Sequence, residues 1–269
     1  MSNPSCDLIR VFDRDPDLLA GVEEPATTHL RTRMIARRVW VERGPWLPTV
    51  TADERRGHLG LLIIDGLLVR TLHLAGRESS EVVGPGDLIR PWDAGDAGGS
   101  VACASEWRVL EPTLLASLDK SFAAVTARWP AIAAALLERS SRRSRALVHQ
   151  ATIGHVRRAD LRMLLVLWHL ADRWGRVTSS GVVVALSLTH QLLAQMTCLR
   201  RPTVSAALGQ LAEAREISSL PDGGWLLHGG PPDAVRCEAR HRDLRGPGEQ
   251  TKATVLDGMP DGEASRIAA

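Results

Sequence analysis

The chain has 269 residues with 33 Lys+Arg against 31 Asp+Glu, a formal net charge of +2, and 44% hydrophobic residues. That length can bury a real core, and the composition excludes wholesale disorder and collagen-like structure. No apolar run reaches the roughly 18 to 20 residues of a membrane span, and Met1 to Arg10 carries no basic-then-apolar export signal, so a cytoplasmic protein without a membrane partner is expected.

Taken in order, the first fifty residues show only turn signals, at Asp15-Pro16 and at Gly44-Pro45-Trp46-Leu47-Pro48. From Gly57 short apolar runs follow one another: Leu59 to Ile64, Leu67 to Leu74, Ser80 to Val83, and Leu88-Ile89. Turns are expected between them at Asp65-Gly66, Ala75-Gly76 and Gly84-Pro85-Gly86-Asp87. This rhythm predicts a small antiparallel barrel or jelly roll, with Val101 to Glu111 as a further strand.

After Glu111-Pro112 the spacing of Leu114, Leu115, Leu118, Phe122 and Val125 predicts an amphipathic helix. Trp129-Pro130 opens a long helix over about 131–156, because proline suits the first helical turn. Its apolar positions Ile132, Leu136, Leu147 and Ile153 suggest a seam able to pair two chains, interrupted by Ser140 to Arg145. Leu161 to Leu170 is apolar nearly all round and predicts a buried helix. A hairpin at Thr178 to Leu186 comes next. Two short helices, Thr189 to Met196 and Pro202 to Ala214, lie about five residues apart, and a hairpin at Ile217 to Leu227 closes the set. The order helix, hairpin, helix-turn-helix, hairpin is that of a winged helix-turn-helix. Gly229 to Ala269 holds six Gly and four Pro with few large apolar residues, and is expected to be a disordered tail.

On the second short helix Val204, Ala207, Leu208 and Leu211 share one stripe, which should face the core. The opposite face is small: Pro202, Ala206 and Gly209, flanked by Thr203, Ser205 and Gln210, with Arg200 and Arg201 at the N-terminal end. A helix entering a DNA major groove needs little bulk on its leading face and donors at its start. Arg201 is the side chain able to donate twice to guanine.

These residues also carry a resemblance. Leu188 to Gln195, then Arg200-Arg201-Pro202-Thr203-Val204 to Leu211, then Gly224-Trp225-Leu226-Leu227, resemble the C-terminal domain of the Crp/Fnr family. Gly86-Asp87-Leu88-Ile89 resembles the Gly-Asp turn of that family's cyclic-nucleotide-binding β-roll, and the likeness covers about 57–228. It implies a homodimer bound to double-stranded DNA at a two-fold site and regulating transcription, with RNA polymerase as a further partner if it activates. It also implies that Arg201 reads a base while Thr189, Arg200 and Thr203 lie near phosphates; Gln191 and Ser205 complete the expected DNA-binding set.

The chain departs from the family in three places. Pro202 and Ala206 stand where the cyclic AMP receptor has an acidic residue and another arginine, which implies heavier reliance on DNA shape. Cys198 stands where the turn usually has glycine; a positive φ there would cost about 1–2 kcal/mol. Arg90 to Ser100 contains no Arg-Ser or Arg-Thr pair, and two aspartates there would repel a phosphate, so cyclic AMP is not the expected effector. The effector, if there is one, is left open, with Arg90 and Trp92 read as a snorkelling arginine beside a buried ring.

Other classes fit less well. A cupin-like metalloenzyme would need His-x-His and Glu within the barrel, whereas His58 and His73 stand alone, and no catalytic glycine motif occurs. His169 reads as a core histidine. Cys6, Cys103, Cys198 and Cys237 have no metal-ligand spacing and are expected to be free thiols. No cofactor, metal or enzymatic activity is therefore expected. A non-DNA-binding interaction protein with a degenerate helix-turn-helix is the remaining alternative.

Of the 33 basic residues only Lys120 and Lys252 are lysines, a bias that a G+C-rich coding sequence explains, so their number alone signifies little. Their placement signifies more: residues 131–228 carry a net +6, against −3 for 1–130 and −1 for 229–269. The expected fold is α+β. It comprises an N-terminal β-roll with flanking helices (1–130), a dimerisation helix (131–156), a C-terminal winged helix-turn-helix (157–228) and a tail (229–269).

Overall fold

The computed structural model describes residues 8–48, 51–95, 101 and 103–232. Nearly all of the expected tail, together with Cys6 and Cys237, lies outside the described residues.

Strand β1 (Leu8–Arg10) leads through α1 (Val11–Arg14), a 3-10 turn at Pro16–Leu19 and α2 (Ala26–Arg33) into β2 (Ile35–Val41), its antiparallel partner. Then follow β3 (Gly44–Trp46), α3 (Ala52–Arg55), β4 (Gly60–Leu74), β5 (Arg77–Val83), β6 (Leu88–Ile89), a 3-10 turn at Pro91–Gly95 and β7 (Ala104–Leu118). These strands form one seven-stranded antiparallel sheet in the order β1-β2-β7-β4-β5, with β3 on β7 and β6 on β4. The expected β-roll is therefore present, and it includes strands in the first fifty residues that turn signals alone did not reveal. The Gly44 to Pro48 turn needs correction, because Gly44–Trp46 is a strand paired with Val109 to Trp107.

The expected Asp65-Gly66 turn also needs correction. Here β4 runs straight through as one strand of 15 residues, with an irregular register opposite β7. Ile63 pairs with Leu115 and Leu68 with Val109, so the six residues from Ile63 to Leu68 on β4 span the seven from Val109 to Leu115 on β7. Gly66, at φ +93°, permits the bulge; a Cβ there would stand 2.5 Å from the Pro112 carbonyl oxygen and 2.6 Å from the Thr113 Cα. The bulge changes the alternation. Before it Leu61 and Ile63 face the interior of the roll; beyond it Leu68 does, and Leu67 and Val69 face a different core.

The helix expected from Leu114 is a third correction. Strand β7 continues to Leu118 because Leu114 to Ser117 pair with β2 on one side and β4 on the other, satisfying the backbone on both edges. Pro112, which has no N–H for the ladder, falls within the bulge. The helix begins only at α4 (Lys120–Thr126), where the Asp119 carboxylate caps the Ser121 and Phe122 N–H groups.

Helix α5 (Pro130–Gly154) has proline in its first turn, as expected. It is followed by α6 (Ala159–Trp174), β8 (Gly175–Thr178), β9 (Gly181–Val184), α7 (His190–Thr197), α8 (Arg201–Glu213), β10 (Ile217–Ser219) and β11 (Trp225–Leu227). The strands form a four-stranded sheet, β10-β11-β9-β8. Of the predicted seam positions on α5, Ile132, Leu136 and Ile153 are buried within the chain and Leu147 is exposed; Leu137 and Val148, which were not among them, are more exposed still.

Three apolar cores result. One fills the roll around Ile63, Leu68 and Trp107; one lies between the sheet and α1, α2, α4 and α5 around Phe12 and Ile132. The third joins Leu67, Val69 and Val82 to the helices α6, α7 and α8. No helix among the described residues is long and apolar enough to cross a membrane.

Candidate nucleic-acid interface

Helix α7 starts at Thr189, whose hydroxyl accepts the Leu192 N–H at 3.2 Å. It ends at Cys198, whose φ of 54° and ψ of 31° place it in the left-handed region, the conformation for which glycine is the usual residue at this turn. The Cys198 and Leu199 N–H groups both return to the Ala194 carbonyl, closing the turn. Three residues, Cys198 to Arg200, separate α7 from α8, not the expected five.

Helix α8 presents the predicted two faces. Val204, Ala207, Leu208 and Leu211 are buried against α6 and α7, while Arg200, Arg201, Pro202, Ser205, Ala206 and Gly209 are exposed. No side chain caps its N-terminus. The N–H groups of Arg201 and Thr203 thus join the positive end of the helix dipole in facing outward, beside two guanidinium groups. Backbone donors and charge so arranged suit an anionic oxygen.

Thr189 and Gln191, on the first turn of α7, are exposed as well. Ser205 is held: its hydroxyl donates to the Arg201 carbonyl at 3.2 Å and meets His190 Nδ1 at 2.8 Å. His190, which the sequence did not single out, therefore ties the start of α7 to the outer face of α8.

The module is also anchored to the β-roll. Gln150 of α5 donates to the carbonyls of Ser80 (2.8 Å) and Met196 (3.3 Å), joining β5 to α7. Gln195 of α7 accepts from the Ser80 hydroxyl and donates to Glu78. Arg143 of α5 forks onto the buried Glu81 carboxylate, and Arg139 onto Asp15. Because Glu81 satisfies its guanidinium, Arg143 is held above its ordinary pKa despite the opposing effect of burial. These contacts border a cleft of about 1120 Å³ between the roll, α5 and α6. The basic helix faces that the sequence showed as charge alone are thus partly committed to carboxylates of the roll.

Inside the roll His58 is buried, accepting the Gly60 N–H on Nδ1 at 3.0 Å and meeting Ser117 Oγ at 3.0 Å through Nε2. Burial, which outweighs the pull of Asp119, lowers its pKa and keeps it neutral. His73 has Glu78 and Glu106 on opposite ring nitrogens, each at 3.6 Å, so those carboxylates do not converge on one point. Trp92 is buried with the Arg90 guanidinium 5.7 Å from its ring centre, the arrangement expected of that pair. Cys103 and Cys198 are free and exposed. His169 is not a solitary core residue: its Nδ1 lies 3.1 Å from that of His149.

Comparison with known proteins fits this geometry. Residues 161–227 match the Crp-like helix-turn-helix domain. No curated protein sequence matches the chain. Among solved structures, a cyclic nucleotide-binding domain containing protein from Listeria monocytogenes aligns with a TM-score of 0.58 at 16% identity, covering 79% of this chain and 96% of its own. A CooA mutant from Carboxydothermus hydrogenoformans aligns at 0.55 and 18% identity, covering 71% and 83%. A transcriptional regulator of the CRP family from Thermus thermophilus aligns at 0.50 and 19%, covering 72% and 92%. The chain therefore carries a Crp-like helix-turn-helix domain at residues 161–227, joined to a β-roll and a long helix in the fold of Crp/Fnr-type regulators.

Proposed function

We propose that this protein is a sequence-specific, DNA-binding transcription regulator that acts as a homodimer on a two-fold site. The observation that carries the reading is the exposed, uncapped start of α8 with Arg200 and Arg201 beside it, within a domain of Crp-like type. In this reading Arg201 donates to a base edge. Thr189, Gln191, Arg200 and Thr203 approach phosphates, and Ser205, positioned by His190, completes the contact face. Pro202, Ala206 and Gly209 let the backbone come close to the groove.

The dimer forms along α5. Ala133, Leu137, Ser140, Ser144, Val148 and Ala151 are exposed at successive spacings of four, three, four, four and three residues, an uncharged stripe suited to a second copy of the helix. Two α8 helices related by a dimer axis reach half-sites about 34 Å apart, one turn of DNA. The functional division is a β-roll to residue 130, the dimer helix at 131–156 and the DNA-binding module at 157–228, in a cytoplasmic protein without enzymatic activity. Cyclic AMP is not its effector. An activating role would add contact with RNA polymerase.

Capture and sequencing of genomic DNA fragments by the purified full chain tests the reading. Enrichment of a two-fold motif is expected. Failure to retain any fragment at low salt would favour an interaction protein instead.

A further inference from the structure

His149 on α5 and His169 on α6 stand at the wall of the large cleft, with their Nδ1 atoms 3.1 Å apart, ring centres 5.0 Å apart and ring planes at 79°. The rings of two imidazoles sharing a tetrahedral ion at about 2.0–2.1 Å have bonded nitrogens about 3.3 Å and centres about 5.2 Å apart. The observed pair matches both distances within a few tenths of an ångström.

Other features favour a cation there. Asp172, three residues further along α6, borders the same cleft. Two arginines, each four residues from one of these histidines, have carboxylate partners: Arg173 with Asp87 and Arg145 with Glu138.

We propose that His149 and His169 form a two-histidine site for a divalent transition-metal ion of borderline softness, such as zinc, that clamps α5 to α6. Among the described residues no third His, Cys, Asp or Glu completes the set. The ion therefore keeps positions for water or a small anion entering from the cleft. Such a site lies outside the DNA-contacting face and does not depend on that reading.

The test uses the full chain, stripped of metal, in calorimetric zinc titration and in thermal melts with and without zinc. Wild type is expected to bind one ion at this site and to melt higher with zinc, because an ion bound only by the folded state stabilises it. His149→Gln and His169→Gln should each weaken that binding about tenfold or more and remove the melting shift. His149 is exposed, so His149→Gln should leave the metal-free melt unchanged and serves if His169→Gln folds poorly. Cobalt(II) provides a spectroscopic check, with a visible band present in wild type and lost in His149→Gln. Equal zinc affinity and equal cobalt spectra in wild type and His149→Gln would overturn the site and leave the ring contact as a hydrogen bond.

Discussion

Arg173 Nη1 on α6 lies 2.7 Å from the Asp87 carboxylate, which also accepts the Gly84 backbone N–H at 2.9 Å. The aspartate of the Gly-Asp turn thus both folds its own loop and ties the roll to helix α6. Asp87 is buried, so replacing it by alanine strands the Gly84 donor and removes the partner of Arg173. Asp87→Ala should cost about 1–3 kcal/mol, read as a lower urea midpoint at unchanged slope. An unchanged midpoint would show that the turn holds without its carboxylate.

Cys198 adopts a left-handed backbone conformation that a side chain makes unfavourable. Cys198→Gly should therefore stabilise the protein by about 1 kcal/mol or less, after the added freedom of glycine in the unfolded chain, which is ~2–4 °C at most in melting temperature. A lower melting temperature would mean that the thiol makes a compensating contact.

Arg201 and Arg200 should behave differently in DNA binding. Arg201→Ala should cost about 1–3 kcal/mol on the preferred site and relax the choice of base at one position in each half-site. Arg200→Ala should weaken all sequences alike and reduce the salt slope by about 1. Competition binding at several salt concentrations separates the two. Loss of site preference in Arg200→Ala alone would reverse the assignment.

Leu137 and Val148 are 68% and 67% exposed in the single chain, a large apolar area for a helix with no further cover. The double variant Leu137→Glu, Val148→Glu should be monomeric by light scattering and should bind a two-fold site far more weakly, with the helical content of each chain preserved. A variant that remained dimeric would move the interface elsewhere.

His58 gives acid sensitivity. Its folded pKa is lowered, chiefly by burial, so as pH falls through the ordinary histidine value near 6.5 the unfolded chain takes up a proton that the folded chain refuses. Its contribution is complete above that pH and is lost progressively below it. Urea unfolding of wild type at pH 7.5 and 5.5 should show this loss, and His58→Asn should show less of it. An equal loss in both would assign the acid sensitivity to other groups.

Much of this architecture was legible in the sequence, for reasons that differ by element. The helix-turn-helix was clear because Val204, Ala207, Leu208 and Leu211 obey a helical period and Thr189 is a capping residue. The strand from Ala104 to Leu118 was not, because Leu114, Leu115 and Leu118 suit either period and the decision came from β2 and β4 pairing on both sides. Asp65-Gly66 looked like a turn since a bulge and a turn both favour glycine with positive φ. The six proposed DNA contacts were visible as polar residues at the start of the two short helices, five of them exposed and Thr203 half-buried. His190, Ser80 and Gln150 were not, because a side chain's hydrogen-bond partner 15 to 70 residues away leaves no local pattern.

The bulge at Gly66 has a thermodynamic consequence. By turning Leu67 and Val69 away from the roll, it lets one strand serve the helix-turn-helix core as well as the two cores of the roll, sharing the former with Met163, Leu193 and Val204. The helix-turn-helix module is therefore not a bead on a string. Heat or denaturant acting on either part withdraws apolar cover from the other, and the β-roll and the helix-turn-helix module should melt as one cooperative unit rather than in two steps.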